Sequence, residues 1–299
     1  MTYTKTSFVS IIIPTFKDWN RLSTCLEALN RQTYGSENFE IIVVNNDPND
    51  NISEAFRLPV NCLYLTEAKE GSYAARNKAL KHVKGSIIGF TDSDCVPDEE
   101  WISNAVELLS ANSDVFRIGG AIDIFFKDPL KPTAVELYET VFAFQQEVYV
   151  QKYLTCVTGN LFSRRIVFDS IGAFNDELLS GGDFEWGKRA SKASFKIVFS
   201  NNVVINHPAR YRFSELATKS RRVAGGHYHN HERHKKIGFF YISLIKKLIP
   251  VPNEIKSIFL HKNLSLWEKL KVFSIRYRLQ LIYNLTLLKL KNGRQAERF

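Results

Sequence analysis

The chain is poor in cysteine. The four it carries, Cys25, Cys62, Cys95 and Cys156, are scattered and form no Cys-x-x-Cys pair. This argues against a disulfide framework and fits small buried hydrophobes in a reducing compartment. Long apolar runs are missing too: no stretch has the roughly eighteen uncharged apolar residues that a bilayer span needs. The opening run Phe8 to Ile13 stops at Pro14, too short for the core of a signal peptide. There is no internal repeat and no low-complexity segment. The expectation is a cytoplasmic globular protein, peripheral on the inner membrane if its tail binds lipid.

Charge is absent from most of the chain as a net quantity. The formal total is +9, yet residues 235–299 hold 14 Lys/Arg against 3 Asp/Glu, whereas residues 1–234 are nearly balanced. A nucleic-acid-binding body would present a basic face, so nucleic acid is not expected as a partner. The basic tail points instead to something anionic. Its apolar positions, among them Phe239, Phe240, Ile242, Ile245, Ile249, Trp267 and Phe273, are interspersed with lysine and arginine. That is the composition of an interfacial membrane helix, or of a helical hairpin that packs on the core with its Lys stems turned to solvent. We therefore expect a catalytic body over 1–235 and a helical, basic amphipathic extension over 236–299.

What is present in the first half is alternation. Ser7–Ile13, Phe39–Val44, Val60–Leu65 and Ser86–Phe90 read as strands. The first reads as a continuous apolar strand, the mark of a parallel sheet buried on both faces, and the second as another buried strand. Helical spacing occupies residues 20–32, 52–56, 72–82 and 99–110, with Asp18 or Asn20 as a cap for the first. This order predicts an α/β fold with a doubly wound, mostly parallel sheet. The second half is less regular: strands at 118–126, 160–162 and 196–205, and helices over 136–150 and 214–229. Gly119-Gly120 permits close backbone approach.

The strand at 86–90 runs into Thr91-Asp92-Ser93-Asp94. Buried strands do not carry acids for stability, and in open α/β sheets the carboxyl edge is where ligands bind. Residues i and i+2 of a strand point the same way, so Asp92 and Asp94 can face one hard cation and the diphosphate it carries. An ordinary solvated Asp-Ser-Asp turn is the plainer alternative.

Four ordered blocks over residues 7–235 resemble the family 2 glycosyltransferases of GT-A fold. Val9-Ser10-Ile11-Ile12-Ile13-Pro14-Thr15-Phe16-Lys17-Asp18 resembles the family's opening strand and nucleotide loop. Ile41-Ile42-Val43-Val44-Asn45-Asn46-Asp47 follows, with Asn45 where the family usually has Asp. Gly71-Ser72-Tyr73-Ala74-Ala75-Arg76-Asn77, then Asp92-Ser93-Asp94, is the most specific match. Last come Thr158-Gly159-Asn160, Ile171-Gly172-Ala173-Phe174 and Gly181-Gly182-Asp183-Phe184-Glu185-Trp186.

The resemblance implies inverting transfer from a nucleotide-diphosphate sugar to a hydroxyl on a glycan or lipid-linked acceptor. It places Pro14, Thr15, Phe16, Asp18, Asn45, Asp47, Gly71, Arg76, Asp92 and Ser93 around the nucleotide. Mn²⁺ or Mg²⁺ is implied on Asp92 and Asp94, with His207 as a third ligand or as a locally bonded histidine. Asp183 is implied as the base, with Glu185 as runner-up and a helix cap as the structural alternative for Asp183. In many members Glu precedes this Asp; here Gly182 does. Arg210, Arg221 and Arg222 are candidate clamps for the diphosphate or acceptor. His227-x-His229-x-His231 has a zinc-like spacing but no cysteine beside it. Two rivals stay open. A nucleotidyltransferase would carry a Gly-rich basic loop after the first strand, which residues 14–18 lack; a non-catalytic nucleotide-sugar-binding scaffold is the other.

Overall fold

Val9–Thr15 (β1) and Phe39–Asn45 (β2) are buried at every residue, so both lie inside a sheet covered on two faces. The computed structural model describes residues 7–50, 52–178, 180–228 and 232–293. The remaining strands are Cys62–Thr66 (β3), Ile87–Phe90 (β4), Val96–Pro97 (β5), Val115–Phe125 (β6), Leu161–Arg164 (β7) and Lys196–Pro208 (β8). They form one sheet in the order β3-β2-β1-β4-β7-β6-β8-β5. The half β3-β2-β1-β4 is parallel, with Ile11 of β1 opposite Ile41 and Gly89; β7 pairs antiparallel with β4 and β6. This is the expected α/β architecture.

Period-two alternation along β1 sorts the core. Val9, Ile11 and Ile13 face Leu22, Leu26 and Leu29 of helix Trp19–Asn30 (α1) and Trp101 of helix Trp101–Ala111 (α3). Ile12 faces the opposite layer, with Ala75 and Ala79 of helix Ser72–Leu80 (α2), Val167 of helix Arg165–Ile171 (α6) and Trp186 of helix Gly182–Lys192 (α7).

Two expected helices differ. Residues 52–56 form a turn, because the loop after β2 is folded by side chains rather than by a helix. Asn45 Nδ2 donates to the carbonyls of Asp47 and Asp50, and Trp19 Nε1 to the Asp50 carboxylate. The helix expected over 136–150 is two, Ala134–Phe142 (α4) and Gln146–Tyr153 (α5), broken where Phe144 takes a φ of 48°.

Contacts divide the chain into two units. The first is 1–123, 144–177 and 182–207; the second is 124–143, 178–181 and 208–299. The boundary expected at 235 therefore falls within the second unit, which also holds α4, Phe213–His227 (α8), Ile237–Lys246 (α9), Pro252–Phe259 (α10) and Leu266–Lys291 (α11). Within this unit α11 packs on α4, α8 and α9. Its Val272 joins Leu137 and Val141 of α4, Ile275 and Leu279 join Leu216 of α8, and Leu287 joins Ala224 and Phe240. Among the described residues no helix is long and apolar enough to cross a membrane.

Asn160 ties the first unit together. Its Oδ1 accepts from Trp101 Nε1, its Nδ2 donates to the carbonyls of Ala121 and Val203, and its own carbonyl accepts from Gln146. A Cβ at Gly120 would lie 2.4 Å from that amide nitrogen, which is the close approach expected of the glycine pair. Asn160→Ala strips several buried partners at once and is expected to cost about 3 kcal/mol. Urea denaturation should show a lower midpoint with an unchanged slope.

Candidate active site

Chain direction places the site. From β1 the chain proceeds to β2 and then β3 on one side, and β4 returns on the other side of β1. The carboxyl ends of β1 and β4 therefore flank the switch point of the sheet, where a crevice opens in this class of fold. Thr91 N still donates to Ile12 O at 3.2 Å, one residue past β4. Asp92, Ser93 and Asp94 come next, directly over that edge.

Side chains lock the two loops together. Ser93 Oγ donates to Asp18 Oδ2 at 3.2 Å, and Arg21 Nε donates to Asp18 Oδ1 at 2.8 Å. Asp18 occupies the N-cap position of α1 without capping it; its carboxylate serves the site loops instead. Arg21 Nη1 also stands 3.6 Å from Asp94 Oδ2.

The two acids of the motif take different partners. Asp92 Oδ1 accepts a short hydrogen bond from Arg76 Nη2, whose residue is only 3% exposed. Asp94 Oδ2 lies 3.4 Å from His207 Nε2 at the end of β8. Ligand atoms of Asp94, His207 and Cys95 lie within 4.8 Å of one another, whereas Asp92 is not in that group. Cys95 belongs to the apolar core, and burial, reinforced by the charges of Asp92 and Asp94, pushes its thiol well above the usual range. The usable donors are thus one carboxylate and one imidazole, a hard and a borderline ligand that fit Mn²⁺ better than Mg²⁺. The Phe144 ring packs on His207 with centroids 4.5 Å apart and fixes the imidazole.

The nucleotide-side residues separate into two groups. Pro14 and Thr15 end β1 and are buried, while Phe16 is 40% exposed, with Lys17 Nζ 5.3 Å from its ring centre. Lys17 also pairs with Asp47 at 3.3 Å. Asn45, expected against the base, is 1% exposed and uses its amide to shape the loop after β2, its Oδ1 accepting from Asp47 N. Neighbouring Asn46, unremarked in the sequence, donates to the carbonyls of Glu67 and Lys69 and accepts from Gly71 N. Gly71 takes a φ of 119°, which explains the glycine at the start of α2.

Asp183 lies in the first turn of α7. Its Oδ1 accepts from Tyr73 Oη at 3.1 Å and from Phe184 N at 2.9 Å. Burial pushes its carboxyl up, against the lowering pull of these bonds and of Arg76. Tyr73 and Arg76 lie one turn apart on α2, the Arg76 guanidinium 5.7 Å from the Tyr73 ring centre. One helix thus joins Asp92 and Asp183 through adjacent side chains.

Glu185 is held by Arg189 at 2.7 Å. In the second unit, Arg210 forms an ion pair with buried Glu139 at 2.7 Å, so its guanidinium is committed to structure rather than free to clamp a ligand. Arg221 and Arg222 lie on α8. His227 bonds Glu232, which Lys235 and Lys247 also meet; His229 and His231 lie outside the described residues. Tyr73 is the site residue that sequence reasoning missed, because its partner lies 110 positions away.

Comparison with known proteins bears on the family and on the fold. Residues 10–172 match the profile of glycosyl transferase family 2. Glycosyltransferase AglE of Haloferax volcanii is 35% identical over 224 residues, spanning 73% of this chain and 72% of AglE. At 22% identity over 217 residues, 68% of each chain, the sequence is similar to the dolichyl N-acetyl-alpha-D-glucosaminyl phosphate 3-beta-D-2,3-diacetamido-2,3-dideoxy-beta-D-glucuronosyltransferase of Methanococcus voltae. The fold is that of mannosyltransferase PcManGT from Pyrobaculum calidifontis, solved with GDP-Man and Mn²⁺. The TM-score is 0.62 and the identity 16%, covering 97% of this chain and 88% of that one. An α/β sheet of GT-A type, a paired aspartate motif at its switch point and a profile match over more than half the sequence lead to one conclusion: the chain belongs to glycosyl transferase family 2.

Proposed function

We propose that the protein is an inverting, metal-assisted glycosyltransferase that moves a sugar from a nucleotide-diphosphate donor to a hydroxyl of a lipid-linked or surface glycan, with Asp183 as the base. One observation carries this reading: α2 contacts Asp92 through Arg76 and Asp183 through Tyr73, so donor-side and acceptor-side acids share one edge of the sheet.

Asp94 and His207 would hold the divalent cation. When bound, it supplies positive charge to the leaving diphosphate. Arg76, fixed by Asp92, adds charge on the same side. Asp183 takes the proton of the acceptor hydroxyl as its oxygen attacks the anomeric carbon opposite the diphosphate. The new carbon–oxygen bond forms as the bond to the diphosphate breaks, and the anomeric centre inverts. The membrane contact of this reading rests on α9. Phe239, Ile242 and Ile245 recur at helical spacing and are 69%, 52% and 64% exposed, beside Lys236 and Lys246, and Ile249, just past the helix, is 66% exposed. A lipid-linked acceptor agrees with the dolichyl phosphate in the name of the Methanococcus voltae relative.

Asp183→Asn is expected to lower kcat by about 10²–10⁴-fold with little change in nucleoside diphosphate affinity. Retained turnover overturns the base assignment, and binding without turnover by the unaltered chain, across a range of acceptors, supports the scaffold reading. The same variant should be more stable. Burial favours the protonated carboxyl, so Asp183 contributes stability below its ordinary range and loses it as pH rises through its elevated folded pKa. The gain in melting temperature should therefore be larger at pH 8 than at pH 5.

Asp94→Asn and His207→Ala should each raise the Mn²⁺ concentration for half-maximal nucleoside diphosphate release by about tenfold. Replacing Phe239, Ile242 and Ile245 by serine should abolish flotation with anionic liposomes and leave release of nucleoside diphosphate in solution unchanged. Equal flotation of both proteins removes the membrane contact.

A further inference from the structure

We propose that Tyr73 is a positioning residue for Asp183, orienting its carboxylate and keeping it ionised, and that Gly182 is glycine because the Tyr73 ring fills the space its side chain would take. The proposal rests on Asp183 being the base.

The hydroxyl of Tyr73 is 3.1 Å from Asp183 Oδ1 and is the one side-chain donor to that carboxylate among the described hydrogen bonds. Tyr73 is 7% exposed, so little water competes for the contact. Its ring is held from behind by Phe174, with centroids 5.7 Å apart, and lies beside the Arg76 guanidinium. A Cβ at position 182 would come within 2.8–2.9 Å of three carbons of that ring, closer than real Cβ atoms approach. Gly182 and Tyr73 are thus a matched pair, and any side chain at 182 must push the hydroxyl away from the acid.

Backbone groups of Phe184 and Thr158 also bond the Asp183 carboxylate and favour its ionised form, but no other side chain donates to it among the described hydrogen bonds. Arg76 acts by charge, while Tyr149 on α5 and Cys156 feel the acid but are themselves pushed up by burial and stay neutral. Thr155 Oγ1 donates to the Asp183 carbonyl, not to its carboxylate. Tyr73 is held neutral by the same burial, with the Asp183 charge reinforcing it, and so remains a donor throughout the working pH range. A neutral donor to a carboxylate stabilises the ionised form. Without it, Asp183 should hold its proton to higher pH.

The test is Tyr73→Phe in the full chain, which keeps the ring against Phe174 and Gly182 and removes one oxygen. The Asp183 carboxyl is followed by ¹³C NMR of aspartate-labelled protein, its signal identified by its loss in Asp183→Asn. We expect the Asp183 titration, and with it the acid limb of the kcat/KM profile, to move up by about one pH unit. Donor KM should stay within twofold. Gly182→Ala, which displaces the ring, should give a shift of the same sign. An Asp183 titration in Tyr73→Phe that superimposes on the unaltered protein overturns the proposal, as does a fall in rate that is equal at every pH. The NMR readout needs no turnover, so it decides the proposal even if Asp183→Asn proves active and the base assignment fails.

Discussion

Arg76 carries a full charge at 3% exposure, and the site is arranged around that fact. A guanidinium taken out of water needs partners for its charge and its N–H groups, and Asp92 supplies the carboxylate that meets Arg76. The pair joins α2 to the loop that leaves β4, while Ser93 joins the same loop to Asp18 at the start of α1. Asp94 is thereby set beside His207, and α2 is set so that Tyr73 faces Asp183. Asp92, expected as one half of a metal-binding pair, is in this arrangement the counter-ion of Arg76.

Much of the fold was legible because its signals are local. The largely apolar runs of β1 and β2 announced a doubly covered sheet. What was not legible depends on distant partners. Asn45 looked like a base contact, but three hydrogen bonds within its own loop occupy its amide. Arg210 looked like a clamp, but Glu139, buried on α4, claims it. The helix expected at 136–150 carried suitable periodicity throughout; the break at Phe144 answers to His207, 63 positions on, a demand that no local pattern records. Tyr73 stood in a quoted motif without a role for the same reason.

The family assignment and the geometry constrain different things. The profile match and AglE speak for glycosyl transfer, and the likeness to PcManGT speaks for the fold. The residues of this chain then narrow the chemistry. A carboxylate and an imidazole stand together at the sheet edge, and burial raises the Asp183 carboxyl; the proposed metal and base roles rest on these two features.

The second unit is assembled from three separated stretches of chain, one before α5, one before α7 and one running to the C-terminus. During synthesis, Leu137 and Val141 emerge from the ribosome long before Val272, the residue of α11 that covers them, has been translated. Until then α4 presents an uncovered apolar face. That interval is one in which transiently exposed apolar surface favours misassembly.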